Sequence, residues 1–406
     1  MIYGILLLTG IPLLALVLPR HFLPQLRLAA IVCQISALLL LTLPLFPNES
    51  VGQGDFDQLS LAFLLFTILV NLAILLTERN LAKHQLVALS VLQLSLEVVF
   101  LTSHLLTFYG FWIAASLPIA WLLVREGKPQ GLRFFLCILL GTVPLLFLIY
   151  RVYMLTGSWQ IASWSTFEPQ AAWQLFIALV LAFGIRLGLF PFHRWLIDTA
   201  HCPATITAVV LGPFAKSGIY GLLRIGMPIF DSFKLSLPLT LGILGIVSIF
   251  YGSIIGLAQR PGRKAAAWMS LVYGGFSILF LSLPGIDGGR AVIISISSGV
   301  ALTLYLLSPR AHWCQNLSLL SLMALPGLGS FGSFAVFFQT IAKQYDYIRW
   351  PSMIGFLLLL FFSGRLLRDP KPAKGKEPAL GCMLLLLSLV WISFAATKYG
   401  GILPPL

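Results

Sequence analysis

The sequence is poor in charge, and it is poorest in acidic residues. Asp and Glu supply 13 of the 406 residues, Lys and Arg supply 26, and charged residues make up only 10% of the chain. Soluble chains carry about 25% charged residues. Hydrophobic residues reach 59%, and the mean hydropathy is +0.96. This composition excludes a soluble globular protein and favours an integral membrane protein.

The sequence also lacks the motifs of metal and cofactor sites. Its five cysteines include no C-x-x-C pair and are scattered as Cys33, Cys137, Cys202, Cys314 and Cys382. Most of them lie in apolar runs, where a free thiol packs as a small hydrophobe, so no disulfide framework is expected. There is no P-loop or haem motif. We therefore expect no cofactor, no resident metal and no catalytic site.

The net charge of +13 has two explanations. A basic soluble protein often binds nucleic acid, whereas a membrane protein collects Lys and Arg in its cytoplasmic loops. The apolar composition favours the second explanation. We expect no nucleic-acid partner and take the lipid bilayer to be the main surroundings of the chain.

Long apolar runs fill the rest of the sequence and predict an all-α polytopic membrane protein. The alternating strands of about ten residues that mark a transmembrane barrel are not present. Connections between runs are short, which predicts a single membrane domain over 1–406. The N-terminal MIYGILLLTG has no basic region and is interpreted as a first span rather than a signal peptide. The fourteen predicted segments are 2–18, 26–46, 57–76, 84–103, 105–124, 131–154, 172–190, 204–225, 235–257, 264–284, 290–307, 317–341, 350–367 and 378–396.

Basic residues gather in the odd-numbered connections between these segments. The second and sixth connections have no Lys or Arg, and carry the acidic residues Glu49, Asp55, Asp57 and Glu168. By the positive-inside rule, the odd-numbered connections face the cytoplasm. We therefore predict that both termini lie on the non-cytoplasmic side, in a bacterial inner (cytoplasmic) membrane.

Two predicted segments carry helix-breaking residues. Segment seven ends in GIRLGLFPFHRW, with Pro191, and segment twelve contains ALPGLGSFGSF, with Pro326 and Gly327. Broken helices at matching places in two halves are typical of inverted-repeat transporters. The pattern predicts two five-helix repeats, at about 84–225 (helices 4–8) and about 235–367 (helices 9–13), flanked by helices 1–3 and 14. The alternative is that a break is only a loop between two spans.

Few ionisable residues fall well inside the predicted segments. Glu97, Arg186 and Lys216 do, and three more follow the first break, namely His193, Asp198 and His201. Charges inside a membrane are costly unless they are paired or hydrated. A buried lysine can release its proton near neutral pH, whereas an arginine stays charged. The set predicts a proton or ion pathway centred on Lys216; the alternative is a structural ion pair.

The block PFHRWLIDTAHCPATITAVVLGPFAKSGIYGLLRI, from Pro191 to Ile225, carries a family resemblance. It resembles the signature of the antiporter-like proton-translocating subunits of respiratory complex I, Mrp antiporters and membrane-bound hydrogenases. The stretches VFLTSHLLTFYGFWIAASLP, FYGSIIGLAQRPGRKAAAWMSLVYGGF and ALPGLGSFGSF resemble other parts of the same family. The resemblance covers most of the chain and identifies it as a divergent member.

The resemblance implies a row of charged residues across the membrane midplane. Lys216 falls on the central lysine of that row, and Arg186 falls on the lysine of helix seven. Three charged stations of the family are lost in this sequence, at Ile113, Ser298 and Ser333. Glu97 lies one helix before the lost carboxylate, and we hypothesise that it supplies the counter-charge for Arg186.

The resemblance leaves three functions open. The first is a non-redox, antiporter-like subunit of a proton-coupled complex of the NADH-quinone oxidoreductase or Mrp type, partnered by other membrane subunits. The second is the cation-coupling subunit of an inorganic-carbon uptake complex, whose partner is a large soluble zinc protein, carbonic-anhydrase-like, on the cytoplasmic side. The third is a stand-alone antiporter, which would need a complete charged row. A basic connection from Arg365 to Lys376 sets topology, or contacts a partner or anionic lipid.

Overall fold

The structure is a computed structural model that describes Gly10, Pro19 and residues 22–42, 58–78, 80–125, 130–161, 169–231, 237–283, 288–308, 312–344, 346–368 and 380–398. Across these ranges the chain is helical, and the only β-type pairing is an isolated bridge between His104 and Gln160. Nine helices in the described part are long and apolar enough to cross a membrane. The predicted all-α polytopic membrane class is confirmed.

The helices follow the apolar runs of the sequence. They are α1 (Leu23–Thr42), α2 (Gln58–Thr77), α3 (Lys83–Leu101), α4 (Leu105–Ala114), α5 (Leu117–Arg125), α6 (Gln130–Thr156), α7 (Pro169–Leu187), α8 (Arg194–Asp198), α9 (Ala204–Val209), α10 (Ala215–Asp231), α11 (Leu237–Leu257), α12 (Arg263–Leu281), α13 (Gly288–Leu307), α14 (His312–Leu322), α15 (Phe331–Gln344), α16 (Asp346–Arg368) and α17 (Leu380–Lys398). A short 3₁₀ turn, Thr199–His201, follows α8, and a π-helical turn, Val210–Phe214, joins α9 to α10.

Predicted segments two to fourteen coincide with described helices, within a few residues at each end. The predicted first segment lies outside the described residues except for Gly10, and so do the four acidic residues Glu49, Asp55, Asp57 and Glu168. The exact number of spans therefore stays a prediction. Most of the basic connection from Arg365 to Lys376 also lies outside the described part.

Predicted segments five and twelve are each divided into two helices. Segment five becomes α4 and α5, which meet at Ala115 and Ser116. Segment twelve becomes α14 and α15, separated by a turn over 323–330 that contains the predicted breakers. Gly327 has a φ of +84° in that turn, a left-handed backbone conformation that glycine adopts without steric cost.

Segment eight contains a break inside its predicted span. It was predicted as one continuous span over 204–225, but the backbone of Gly212 leaves helical geometry, with φ −84° and ψ −113°. Pro213 follows directly, and its ring cannot donate the hydrogen bond that a regular helix needs. The helix therefore restarts at Ala215, one residue before Lys216.

Helices α9 and α10 form the centre of the molecule, and α16 lies at its edge. An 18-residue apolar stretch within Ala204–Gly226 is 100% buried, whereas the corresponding stretch within Ile348–Arg368 is only 33% buried. Close contact with α7 holds α10 in place: a Cβ on Gly221 would fall 2.1 Å from the Phe183 ring. The broken helix that carries Lys216 is thus enclosed by protein, where a freed backbone group is tolerated.

Candidate functional site: two buried cations

Lys216 lies in the first turn of α10 with none of its surface exposed. Its ammonium donates to the carbonyl oxygen of Ser270 at 3.2 Å and to the Ser270 hydroxyl at 3.4 Å. Ser270 belongs to α12, and its hydroxyl lies 3.4 Å from the carbonyl oxygen of Leu211 in the π-helical turn. Within the described part of the chain, no carboxylate pairs with Lys216.

Because of the break before α10, Lys216 lies at the N-terminal end of a helix instead of in its middle. A helix has the positive end of its dipole at the N-terminus, where a cation is less favourable by about 0.3–1 kcal/mol. Lys216 stands at that end, with its single ammonium charge next to the restart of the helix. The N-terminal end of α10 therefore adds no stabilisation to the charged side chain.

Arg186 lies in the last turn of α7 and is 1% exposed. Its guanidinium carbon is 4.3 Å from the centre of the Trp112 ring and 3.5 Å from the centre of the Phe214 ring. Cations over aromatic faces gain about 0.5–2 kcal/mol. The C-terminal end of α7 also favours a positive charge. Arg186 therefore has aromatic rings and a helix C-terminus that stabilise its positive charge, and the described contacts of Lys216 include neither.

Two serine hydroxyls complete the surroundings of Arg186, which we call the arginine cage (Trp112, Ser116, Phe214 and Ser217). Nη1 donates to the Ser116 hydroxyl at 2.8 Å, and Nε donates to the Ser217 hydroxyl at 3.3 Å. The Ser217 hydroxyl donates its own hydrogen to the carbonyl oxygen of Phe214 at 2.6 Å. Nη2 is buried and has no hydrogen-bond partner among the described residues. The cage thus presents acceptors and ring faces that suit a permanent cation.

The hypothesis that Glu97 pairs with Arg186 is wrong. Glu97 is fully buried on α3 and accepts a hydrogen bond from Gln93 Nε2 at 2.7 Å. Gln93 in turn exchanges hydrogen bonds with Gln34 of α1, at 2.8 and 3.0 Å. The acid therefore belongs to the contact between α1 and α3, while the arginine uses serines and aromatic rings instead.

The three lost family positions carry no charge, and two of them are buried hydroxyls. Ile113 is partly buried on α4, three residues before Ser116 of the cage. Ser298 donates to the carbonyl oxygen of Ser295 at 2.9 Å, and the Ser295 hydroxyl lies 2.6 Å from that of Ser277. Ser333 has a buried hydroxyl without a hydrogen-bond partner among the described residues.

Asp198 lies with His201 on the turn that follows α7, apart from the two buried cations. Its Oδ1 is 3.2 Å from Arg133 Nη2 and 3.8 Å from Arg194 Nε. His201 Nδ1 is 3.0 Å from the carbonyl oxygen of Asp198. Burial raises the pKa of the Asp198 carboxyl, and the nearby Arg133 and Arg194 oppose that rise. This carboxyl is thus a buried acid beneath two exposed arginines.

His193 occupies an aromatic pocket on the same turn. Its ring centre lies 5.0 Å from that of Tyr251, 5.4 Å from that of Trp268 and 6.0 Å from that of Phe190. Burial lowers the pKa of the His193 imidazole, with Arg194 as a second cause. Among the described residues, no hydrogen bond or ion pair joins His193 to Asp198 or to Lys216.

The predicted helix breaks lie away from the buried cations. Pro191, Pro326 and Gly327 are exposed in their turns. The backbone break beside Lys216 is instead the one at Gly212, which is fully enclosed. Its signal in the sequence was the Gly212–Pro213 pair, because a proline removes a helix hydrogen bond.

The described residues contain no cluster of three or more His, Cys, Asp or Glu side chains that would hold a metal ion. The chemistry available at the centre is therefore proton binding at the Lys216 amine, next to hydroxyl groups. The cage serines and Ser270 were not among the candidate residues, since a serine in an apolar run gives no signal for its partner. Trp112 could have been found, because it precedes the lost station Ile113.

Comparison with known proteins adds a family match. The profile of the family described as "NADH:quinone oxidoreductase/Mrp antiporter, TM" matches residues 102–307. The chain is 28% identical to NADH-ubiquinone oxidoreductase chain 4 of Chondrus crispus, over 63% of this chain and 55% of that protein. It is 27% identical to NADH-quinone oxidoreductase subunit M of Rhodobacter capsulatus, over 57% and 50% respectively. The chain thus spans about half the length of the curated relatives it matches.

Solved structures show the same fold at low sequence identity. A chain of respiratory complex I from Thermus thermophilus superposes with a TM-score of 0.83 at 20% identity, covering 99% of this chain and 97% of that one. A chain of the Mrp complex from Dietzia sp. gives a TM-score of 0.84 at 15% identity, covering 98% and 52%. A chain of the archaeal membrane-bound sulfane sulfur reductase gives 0.82 at 18% identity, covering 98% and 78%.

Proposed function

Because the chain belongs to the NADH:quinone oxidoreductase/Mrp antiporter family, we propose that it is an antiporter-like subunit of a proton-coupled, energy-converting membrane complex. Lys216 is its central proton-carrying station. The observation that carries this proposal is the Lys216 ammonium, which is fully buried on a broken helix with only Ser270 as its hydrogen-bonding residue among those described. Burial with no paired carboxylate favours a side chain that exchanges its proton.

Arg186 has a different part in the proposal. A guanidinium stays protonated in proteins, and the arginine cage surrounds it with groups that accept hydrogen bonds. Arg186 therefore supplies a fixed positive charge in the first half of the chain and does not relay protons. The second half offers hydroxyl groups at Ser298 and Ser333 in place of charged stations.

Asp198 and His201 are proposed as the proton entry. The Asp198 carboxyl is buried, its Oδ2 atom has no hydrogen-bond partner among the described residues, and Arg133 and Arg194 hold it from the exposed side. His193 belongs to the same turn, and Glu97 forms a separate polar contact at the α1–α3 boundary. Lys216 is the only one of these groups that lies on the enclosed break.

Orientation and repeats are part of the same proposal. The basic odd-numbered connections support a bacterial inner membrane with both termini on the non-cytoplasmic side. We propose that 84–225 and 235–367 form two inverted repeats within one membrane domain. The match of the chain to subunits of multi-subunit membrane complexes supports other membrane subunits as its partners.

Two substitutions test the role of Lys216. Lys216→Ala removes the amine, and Lys216→Arg keeps a positive charge on a group that does not release its proton. Both are expected to abolish coupled proton movement in membranes that contain the whole complex, while native gels show normal assembly. Ser318→Ala, which removes a buried hydroxyl away from the cations, is the matched control and should retain coupling.

The outcomes separate a relay from a structural lysine. If coupling survives in Lys216→Arg, a positive charge suffices and proton exchange at this residue is disproved. If it survives in Lys216→Ala as well, the residue is structural and the chain works as a non-conducting member. Purification of the tagged chain with its partners distinguishes the alternatives, since redox subunits support the complex proposed here and a large soluble zinc protein supports inorganic-carbon uptake.

A further inference from the structure

Helix α16 presents a groove on the outside of the molecule. The groove has a volume of about 480 Å³ and is lined by Leu357, Leu360, Phe361, Gly364, Arg365 and Arg368. These residues recur at three- and four-residue spacing, so they share one face of the helix. Leu357 is 52% exposed and Phe361 is 68% exposed. The described chain therefore leaves this apolar face uncovered.

Two arginines close one end of the groove. Arg365 and Arg368 both lie exposed in the last turn of α16, three residues apart on the same side. Neither of them forms an ion pair with an acidic residue in the part of the chain that the structure describes. The sequence that follows is DPKPAKGKEP, which adds three lysines and two acids. Positive charge is thus concentrated where the apolar face ends.

Gly364 leaves open space beside these arginines. A Cβ built on Gly364 would meet no atom within 4 Å. The groove runs from Leu357 to Arg368, about 16 Å along the helix axis at 1.5 Å per residue. An extended hydrocarbon chain lying on Leu357 and Phe361 would place its polar end level with Arg365 and Arg368.

A phospholipid matches both ends of this groove. Its acyl chain is apolar, and its phosphate accepts the paired hydrogen bonds that arginine donates. Basic groups at the cytoplasmic end of a membrane helix attract anionic lipid head groups. A protein helix in the same place would have to bring an acidic group to each arginine, whereas one anionic lipid supplies the apolar chain and the negative charge together.

We propose that the outer face of α16 binds an anionic phospholipid, with its phosphate on Arg365 and Arg368 and an acyl chain along Leu357, Leu360 and Phe361. The site is separate from the buried cations, and it does not depend on whether the chain moves protons. It assigns a role to the basic end of α16 that topology alone does not require.

Native mass spectrometry of the full chain with added phosphatidylglycerol or phosphatidylcholine tests this proposal. The parent chain should retain phosphatidylglycerol in preference. The double variant Arg365→Gln/Arg368→Gln should weaken that retention by about tenfold or more, since each basic residue near a membrane surface contributes about 1 kcal/mol. Arg125→Gln is the matched control, because Arg125 is also an exposed arginine in a last helical turn, but it lies against Trp121.

A second variant tests the groove without changing its charge. Gly364→Leu fills the open space and should reduce retention, while leucine favours the helix. Equal retention by the parent and the double variant overturns the proposal, and so does an equal loss in Arg125→Gln. A photoreactive residue in place of Phe361 gives an independent result in native membranes: attachment to lipid supports the proposal, and attachment to another polypeptide overturns it.

Discussion

Arg186 and Lys216 are both buried cations that donate to serine hydroxyls, but Arg186 has more groups around it that stabilise charge. Arg186 has two aromatic faces, two serine hydroxyls and the favourable end of a helix dipole. Lys216 has one serine and the unfavourable end of a restarted helix. Both are at most 1% exposed, so burial alone does not separate them.

The Arg186 charge is therefore stabilised by more contacts than the Lys216 charge. An arginine suits a permanent setting, since it keeps its proton and donates in fixed directions. A lysine with a single partner residue gains less from being charged, so neutralising it costs less. This contrast supports the proposal that Arg186 is a fixed charge and Lys216 an exchangeable one, although both lie on neighbouring helices in the same core.

Arg186→Ala is expected to have the largest effect on stability. It removes the group on which the arginine cage is organised and leaves a cavity between Trp112 and Phe214. We expect a loss of about 3–5 kcal/mol, as for other large-to-small core changes, seen as a clear fall in melting temperature in detergent. Arg186→Lys keeps a positive charge, so its melting temperature should lie between those of the parent chain and Arg186→Ala. An unchanged melting temperature for Arg186→Ala would remove the distinction between the two cations.

Two serine variants compare the surroundings of Arg186 and Lys216 through smaller changes in stability. Ser217→Ala deletes an acceptor of the buried guanidinium and should cost about 1.5–3 kcal/mol, because hydrogen bonds to charged groups are strong. Ser270→Ala leaves Lys216 its bond to the Ser270 carbonyl oxygen and should cost about 0.5–1.5 kcal/mol. Thermal unfolding of the two variants side by side measures this order. The reverse order would mean that Lys216 is the better stabilised cation.

Lys216→Met is expected to have the smallest effect on stability. Methionine has a similar length and removes a charge that costs about 2.5–3.5 kcal/mol at the centre of a membrane helix. The melting temperature should stay the same or rise, while coupled proton movement is lost. Such a combination is typical of functional residues that reduce stability. A fall as large as that of Arg186→Ala would instead make Lys216 a structural residue.

Much of the fold could be predicted from hydropathy, because each span must be apolar for about 20 residues. Helices α2, α6 and α13 begin and end within a few residues of their predicted segments. Hydropathy does not divide segment eight at Gly212, since an apolar run shows the same hydropathy whether or not its backbone is interrupted, and Pro213 indicates only a loosened backbone. Signals from Gly and Pro are also too common in membrane helices to locate a break by themselves.

The candidate site was predicted in part. Lys216 and Arg186 stood out because charges inside a span are rare. Their partners did not, because a serine hydroxyl or an aromatic ring on another helix leaves no trace at the position that it contacts. The predicted pairing of Glu97 with Arg186 was wrong for the same reason. The presence of one acid and one base in the same half of the chain does not give the distance between them.

The sequence by itself determined that this chain is a helical membrane protein and that Glu97, Arg186 and Lys216 are buried within it, since both follow from local composition. Only the tertiary structure decided which groups each charge meets. Packing of α4, α7 and α10 brings Trp112, Ser116 and Ser217 to Arg186, and packing of α12 brings Ser270 to Lys216. Contacts between distant segments depend on how whole helices pack against one another, and no short stretch of sequence contains that information.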